Sequence, residues 1–116
     1  QIGGLTDLPH GLLNAIMLPH VMEFNAPVAA ERLVDVAAAM GVDTGLMNPY
    51  EAADAAIQTV RALSGKAGLP ASLREIGVQM PQINEIARNA LGDAYIVTNP
   101  RPVREEDARA ICQAAW

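Results

Sequence analysis

Several things are scarce in this sequence, and each scarcity closes off a class of protein. One cysteine, Cys112, stands among 116 residues. It can form no internal disulfide and has no second thiol for a zinc cluster, which fits a reducing, cytoplasmic compartment. Eight Lys and Arg face thirteen Asp and Glu, for a net charge of -5. The basic residues are scattered, and without a phosphate-tracking stripe the chain is expected to bind neither nucleic acid nor an anionic membrane. The apolar runs fall far short of the roughly 20 residues a membrane helix needs. The opening "QIGGLTDLPHG" has neither the basic start nor the apolar centre of a secretory leader. It also lacks an initiating Met, so the chain is expected to be processed or a piece of something longer. Aromatics are few: Phe24, Tyr50, Tyr95 and Trp116.

What is there is aliphatic and helical. Hydrophobic residues make up 51% of the chain, so the core is built from Ala, Leu, Ile, Val and Met. Alanine is the best helix former, and a length of 116 residues suits one domain, residues 1–116. Asp7 is a candidate cap for a helix with Pro9 in its first turn. From Leu12 to Met22 the apolar residues point nearly all round, the mark of an interior helix. Pro19 is expected to kink it or end its first segment. "APVAAERLVDVAAAMG" is amphipathic, with Leu33, Val36, Ala37 and Met40 on one face and Gly41 as its stop. "NPYEAADAAIQTVRALSGKAG" starts with Asn48 as cap, Pro49 first inside and Glu51 three on. Its buried stripe is Ala53, Ala56, Ile57, Val60 and Leu63, with Asp54, Gln58 and Arg61 on the wet side. "PASLREIG" reads as one helical turn, with Ser72 and Glu75 paired and Gly77 closing it. "MPQINEIARNALGD" turns Ile83, Ile86, Ala87, Ala90 and Leu91 inward. "AYIVTNPRP" is expected to be extended, and "REEDARAICQAAW" is a last helix with an acidic first turn. The fold predicted is all-α, a bundle of five to six short helices with one short extended segment before the last.

Both histidines, His10 and His20, lie in "TDLPHGLLNAIMLPHVMEFN". Ten residues on a straight helix give about 15 Å of rise and about 80° of azimuth. Metal–nitrogen bonds are only about 2 Å, so the two cannot share one ion. The ordinary reading of either is a partly buried histidine bonded to backbone. His10 has more in its favour. It lies in a first turn, where its ring can point into a cleft, and Gly11 leaves room beside it. Asn14, one turn on along the same face, is placed to bond a ring nitrogen or a ligand, or to cap a neighbouring backbone group. Glu105, Glu106 and Asp107 read as a solvated helix start. Gly3-Gly4 belongs to no phosphate loop. Nothing places Cys112 near either histidine. The five Met residues, 17, 22, 40, 47 and 80, read as core filler.

"LPHGLLNAIMLPHVMEFN", "GLPASLREIGV" and "DAYIVTNPRPVREEDARAIC" together closely resemble the iron-containing alcohol dehydrogenases, in order and over essentially the whole chain. The resemblance implies a two-domain enzyme: a dinucleotide-binding α/β half, and an all-helical half holding a divalent metal, usually Fe²⁺ and sometimes Zn²⁺. In that family one Asp and three His bind the metal, the last of those His preceding the Gly of a "PHG" triplet. Carried over by position, that ligand is His10, with Asn14 a candidate beside it, while His20 is no ligand. The other three ligands and the NAD(P)-binding half would precede Gln1. The implied reading is therefore the C-terminal helical portion of an iron-dependent, NAD(P)-linked alcohol dehydrogenase, inactive alone. The alternative is a stand-alone helical interaction module derived from it. Either way the apolar first helix needs a cover, from the missing N-terminal half or from a second copy of the chain by self-association.

Overall fold

The structure is a computed structural model that describes residues 8–116. The expected cap at Asp7 and the Gly3-Gly4 pair lie outside these residues. Four α-helices follow one another: α1 (His10–Ala39), α2 (Pro49–Lys66), α3 (Met80–Leu91) and α4 (Glu105–Ala114). A 3-10 helix (Ala94–Thr98) stands between α3 and α4. The all-α class is as expected, but the helices among the described residues are fewer and the first is longer.

Pro19 does not end its helix. α1 runs unbroken for 30 residues with both Pro19 and Pro27 inside it. A proline removes one ladder bond and crowds the preceding turn. Here Pro19 is buried between the buried residues Ile16 and His20, so tertiary packing holds the helix across it. The two segments read separately in sequence are one element. Pro9 sits one place earlier than expected, at the cap rather than inside, and its carbonyl accepts from Leu12 and Leu13 at 3.1 and 3.2 Å.

The stops and starts follow local chemistry. Gly41 closes α1 at φ +86, with Val42 N–H donating to the Ala37 carbonyl at 3.0 Å. Gly68 closes α2 in the same way at φ +71, with Leu69 donating to Ser64 at 3.1 Å. This six-to-one bond around a left-handed residue satisfies carbonyls that a helix end leaves orphaned. At the start of α2, Asn48 Oδ1 accepts from Tyr50 and Glu51 at 3.0 Å each. Glu51 Oε2 accepts in return from Asn48 N–H at 2.8 Å. "PASLREIG" is a run of turns rather than a helix, although Ser72 and Glu75 do pair.

The expected extended segment is another correction. Residues 94–98 coil into the 3-10 helix because Asp93 Oδ1 accepts from Tyr95 N–H at 3.0 Å. No strand stands beside them among the described residues, so the β preference of Tyr-Ile-Val has nothing to pair with. Asn99, ahead of Pro100, keeps the extended backbone that a following proline imposes (ψ 134).

Burial falls into two regions joined by α1. Its N-terminal half packs Leu13 and Ile16 against Leu73, Val78, Ile83, Ile86, Cys112 and Ala115. The chain end ties this region together: Leu73 N–H donates to the Ala115 carbonyl at 2.8 Å, and Trp116 Nε1 donates to the Val78 carbonyl at 2.8 Å. The second region is the α1–α2 contact, the most extensive between any two helices here. Ala30 and Ala37 of α1 and Ala52, Ala53, Ala56 and Ile57 of α2 are buried. Small side chains let the two backbones approach closely.

Four inward expectations fail, and one outward one. Leu63 is exposed, because 3.6 residues per turn put it about 120° from Ile57. Arg61 is only about 40° from Ile57 by the same count. It is half-buried and pairs with Glu23 of α1 at 2.7 Å rather than pointing to water. Val36, Met47 and Met80 are exposed too, and Leu18 and Val28 leave part of α1's apolar surface uncovered.

His20 lies beside that ion pair and is buried, at 8% exposed. Its Nδ1 is 3.7 Å from Glu23 Oε2, too far for a hydrogen bond, and has no hydrogen-bond partner. Burial foremost, then the Arg61 charge, lower its pKa from the ordinary 6.5, while Glu23 opposes them.

Two outcomes follow for stability. Ala56→Leu is expected to cost about 1–3 kcal/mol by forcing α1 and α2 apart. Urea unfolding monitored by circular dichroism measures it, and an unchanged midpoint would mean that the interface has slack. For His20 the sign is fixed by the lowered pKa. Its contribution is fully present above pH 6.5 and is lost as the pH falls through the folded-state value. Stability measured from about pH 7.5 down to about 5.5 is expected to fall more steeply in the natural protein than in His20→Gln. Parallel curves would assign the titration elsewhere.

Candidate functional site

His10 opens α1 and is exposed, as are Gly11 and Asn14. Among the described residues nothing hydrogen-bonds or pairs with the His10 ring. A Cβ placed on Gly11 would meet nothing within 4 Å, so the space at Gly11 itself is open. His10 and Asn14 line a cleft of about 560 Å³ between α1, α3, α4 and the 3-10 helix. Along α1 the lining continues through Leu13, Met17, Val21 and Phe24, one stripe of the helix at three- and four-residue steps. Ile86 and Ala90 come from α3, and Ile111 and Cys112 from α4. The remaining wall is the segment from Asp93 to Val103. The arrangement is an apolar trough with an imidazole and an amide towards the helix start.

Cys112 therefore shares a cleft with His10, which sequence spacing did not reveal. Burial pushes its thiol up to about 11, so near neutral pH it is a protonated apolar group rather than a nucleophile. His20 does not line the cleft; it belongs to the α1–α2 contact. Glu105, Glu106 and Asp107 are likewise outside it and are engaged around their own helix start. Asp107 accepts from Arg104 N–H at 3.0 Å, Glu105 pairs with Arg109 at 2.8 Å, and Glu106 pairs with Arg104 at 2.6 Å. Among the described residues, no group of three or more His, Cys, Asp and Glu is placed to hold a metal ion. His10 thus offers one metal bond and no more.

Sequence reasoning missed the contacts that hold the cleft's far wall. Asn25, buried in α1, and Asn99 exchange amide hydrogen bonds at 2.9 and 2.8 Å. Arg101 donates to the Phe24 carbonyl at 2.8 Å and stacks 4.1 Å from the Phe24 ring centroid. The available signal was Asn25, on the buried side of a largely apolar stretch of α1, but its partner lies 74 residues away.

Residues 1–116 match the model of the Fe-containing alcohol dehydrogenase family, C-terminal. Lactaldehyde reductase of Escherichia coli (strain K12) is 40% identical over 115 residues, 99% of this chain and 30% of that protein. The 1,3-propanediol dehydrogenase of Citrobacter freundii is 37% identical over 116 residues, 100% of this chain and 30% of that one. A crystal structure of 1,3-propanediol oxidoreductase superposes with a TM-score of 0.96 at 36% identity, over 99% of this chain and 30% of that chain. The chain thus spans about a third of the length of these relatives. The chain belongs to the iron-containing alcohol dehydrogenase family, and what it represents is the helical C-terminal portion of that fold.

Proposed function

We propose that this chain is the helical, metal-holding portion of an iron-dependent, NAD(P)-linked alcohol dehydrogenase, in which His10 supplies one ligand to the metal. The observation that carries the reading is the His10 imidazole, exposed at a cleft and unpaired among the described residues. A neutral imidazole with an open face is the donor that Fe²⁺ or Zn²⁺ takes. One bond is too few, because a catalytic site takes three or more protein ligands. The others therefore come from outside residues 8–116, as does the binding of NAD(P).

When bound, the metal supplies Lewis acidity, lowering the pKa of an alcohol hydroxyl and orienting its carbon for hydride transfer to NAD(P). The chain's own part is positional. His10 is fixed by the first turn of a long helix anchored in both buried regions. Asn14 presents an amide one turn on, where it orients either the ring or the alcohol oxygen. Leu13 and Met17 keep the space behind them apolar and poor in water.

The exposed Leu18, Val28, Leu63 and Leu69 belong under a cover. In the whole enzyme the upstream half supplies it. In isolation, a second copy of the chain takes its place. No described helix is long and apolar enough to cross a membrane, and a cytoplasmic setting fits an enzyme drawing on the NAD(P) pool.

Two measurements test the reading. In the full-length enzyme, His10→Ala is expected to reduce bound metal and turnover by at least about tenfold. His20→Ala is expected to lower stability while the folded fraction keeps its metal. The reverse pattern would exchange the roles of the two histidines. The isolated chain is expected to lose added Fe²⁺ or Zn²⁺ on dialysis, to oxidise no alcohol with NAD or NADP, and to sediment as an associated species at micromolar concentration. A compact monomer retaining stoichiometric metal would show that the ligand set is complete within the chain.

A further inference from the structure

We propose that the Asn25–Asn99 amide pair, reinforced by Arg101 on Phe24, is a clasp that positions one wall of the cleft and so sets which alcohols fit it. The inference rests on the reading of this cleft as the alcohol site.

The 3-10 helix of the wall takes little of its hold from burial. The 3-10 helix contains no buried residue: Tyr95 and Val97 are both 82% exposed, and its half-buried Ile96 faces the cleft. With only half-buried apolar side chains such as Ile96 and Val103, the segment gains little from the hydrophobic effect, so polar contacts weigh heavily in its placement. Several of those contacts, between the segment and α1, meet at one point. Asn25 Nδ2 donates to Asn99 Oδ1 at 2.9 Å, and Asn99 Nδ2 donates back to Asn25 Oδ1 at 2.8 Å. Asn99 Nδ2 also donates to the Arg101 carbonyl at 2.6 Å, which fixes the turn at Pro100. Arg101 Nη1 donates to the Phe24 carbonyl at 2.8 Å with its guanidinium over the Phe24 ring. Asn25 is buried, so removing its partner leaves an unpaired polar group out of water, and the pair strongly favours one register.

The geometry links this clasp to the cleft. Asn99 and Phe24 are lining residues themselves, and Tyr95, Ile96 and Thr98 line it from the segment that the clasp holds. His10 is at the other end of the same stripe of α1, four turns from Phe24. Moving the wall changes the room available to the substrate without touching the metal ligand. Asn25 is a positioning residue, acting through Asn99.

The test uses the metal-loaded, full-length enzyme with Asn25→Ala, Asn99→Ala and the double variant. Hydrogen exchange followed by mass spectrometry is expected to quicken about tenfold in residues 94–103, with α1 and bound metal unchanged. The kcat/KM ratio of benzyl alcohol to 1-propanol is expected to shift by about tenfold towards the bulkier substrate, chiefly through KM. The double variant is expected to match either single one, because both break the same pair. Should Asn25→Ala fail to fold, Asn99→Ala breaks the clasp from the loop side. Unchanged exchange in residues 94–103 would overturn the clasp. Faster exchange with unmoved selectivity, or with metal loss, would overturn its positioning role. If the unaltered enzyme binds no metal and oxidises no alcohol, the proposed function fails, while the exchange result still decides whether the clasp holds the wall.

Discussion

The structure depends on one helix serving two buried regions at once. α1 places Leu13 and Ile16 in the aliphatic core with α3 and α4, then places Ala30 and Ala37 against α2. A helix obliged to reach both has to stay continuous between them, and that is the stretch that contains Pro19 and Pro27. Each proline costs a ladder bond, and an isolated peptide of this sequence would be expected to break there. Packing on both sides of Pro19 outweighs that loss. The same continuity makes the first turn a rigid platform: a side chain at residue 10 is carried by a helix anchored at several places along its length.

Scarcity of aromatics shapes the two regions differently. The α1–α2 contact is built largely from alanine, which gives little area per residue but allows close approach. The other region uses branched side chains and closes with Trp116, whose indole also stands 5.1 Å from the Arg74 guanidinium. Around the cleft the packing thins out, and polar contacts take over from apolar ones. Asn25, Asn99 and Arg101 fix that wall where no side chain of the 3-10 helix is buried.

Much of this was legible in the residues, and the pattern of misses is physical. Helix class, the Asn48 cap and the Gly41 stop are short-range properties, set by propensity and by groups within four residues of each other. They read correctly. The unbroken α1 did not, because the interactions that override Pro19 come from elsewhere in the chain. Leu63 and Arg61 were reversed because an apolar stripe read from sequence fixes a helix face only to within about a residue's turn. The cleft was legible only in part. His10 and Asn14 share a face by spacing alone, but Cys112 and Asn99 arrive from about 90–100 residues away through tertiary contacts that no local signal encodes.

The two histidines show how position along one helix divides roles between identical side chains. His20 sits mid-helix on the buried face, where neighbours fill the space around its ring and burial holds it uncharged. A metal there would have to displace packing and would meet the Arg61 guanidinium drawn in by Glu23, a cation where a cation is unwelcome. His10 meets neither obstacle. His10 is the first residue of α1 and is exposed, Gly11 adds no bulk beside it, and no described residue occupies its nitrogens. On the proposed reading, what suits His10 to a metal is not its own chemistry but the lack of a hydrogen-bond or charged partner among the described residues. A first-turn residue has no turn of its own helix before it, and that is how a helix start can offer a side chain to a site assembled from several parts of a larger fold.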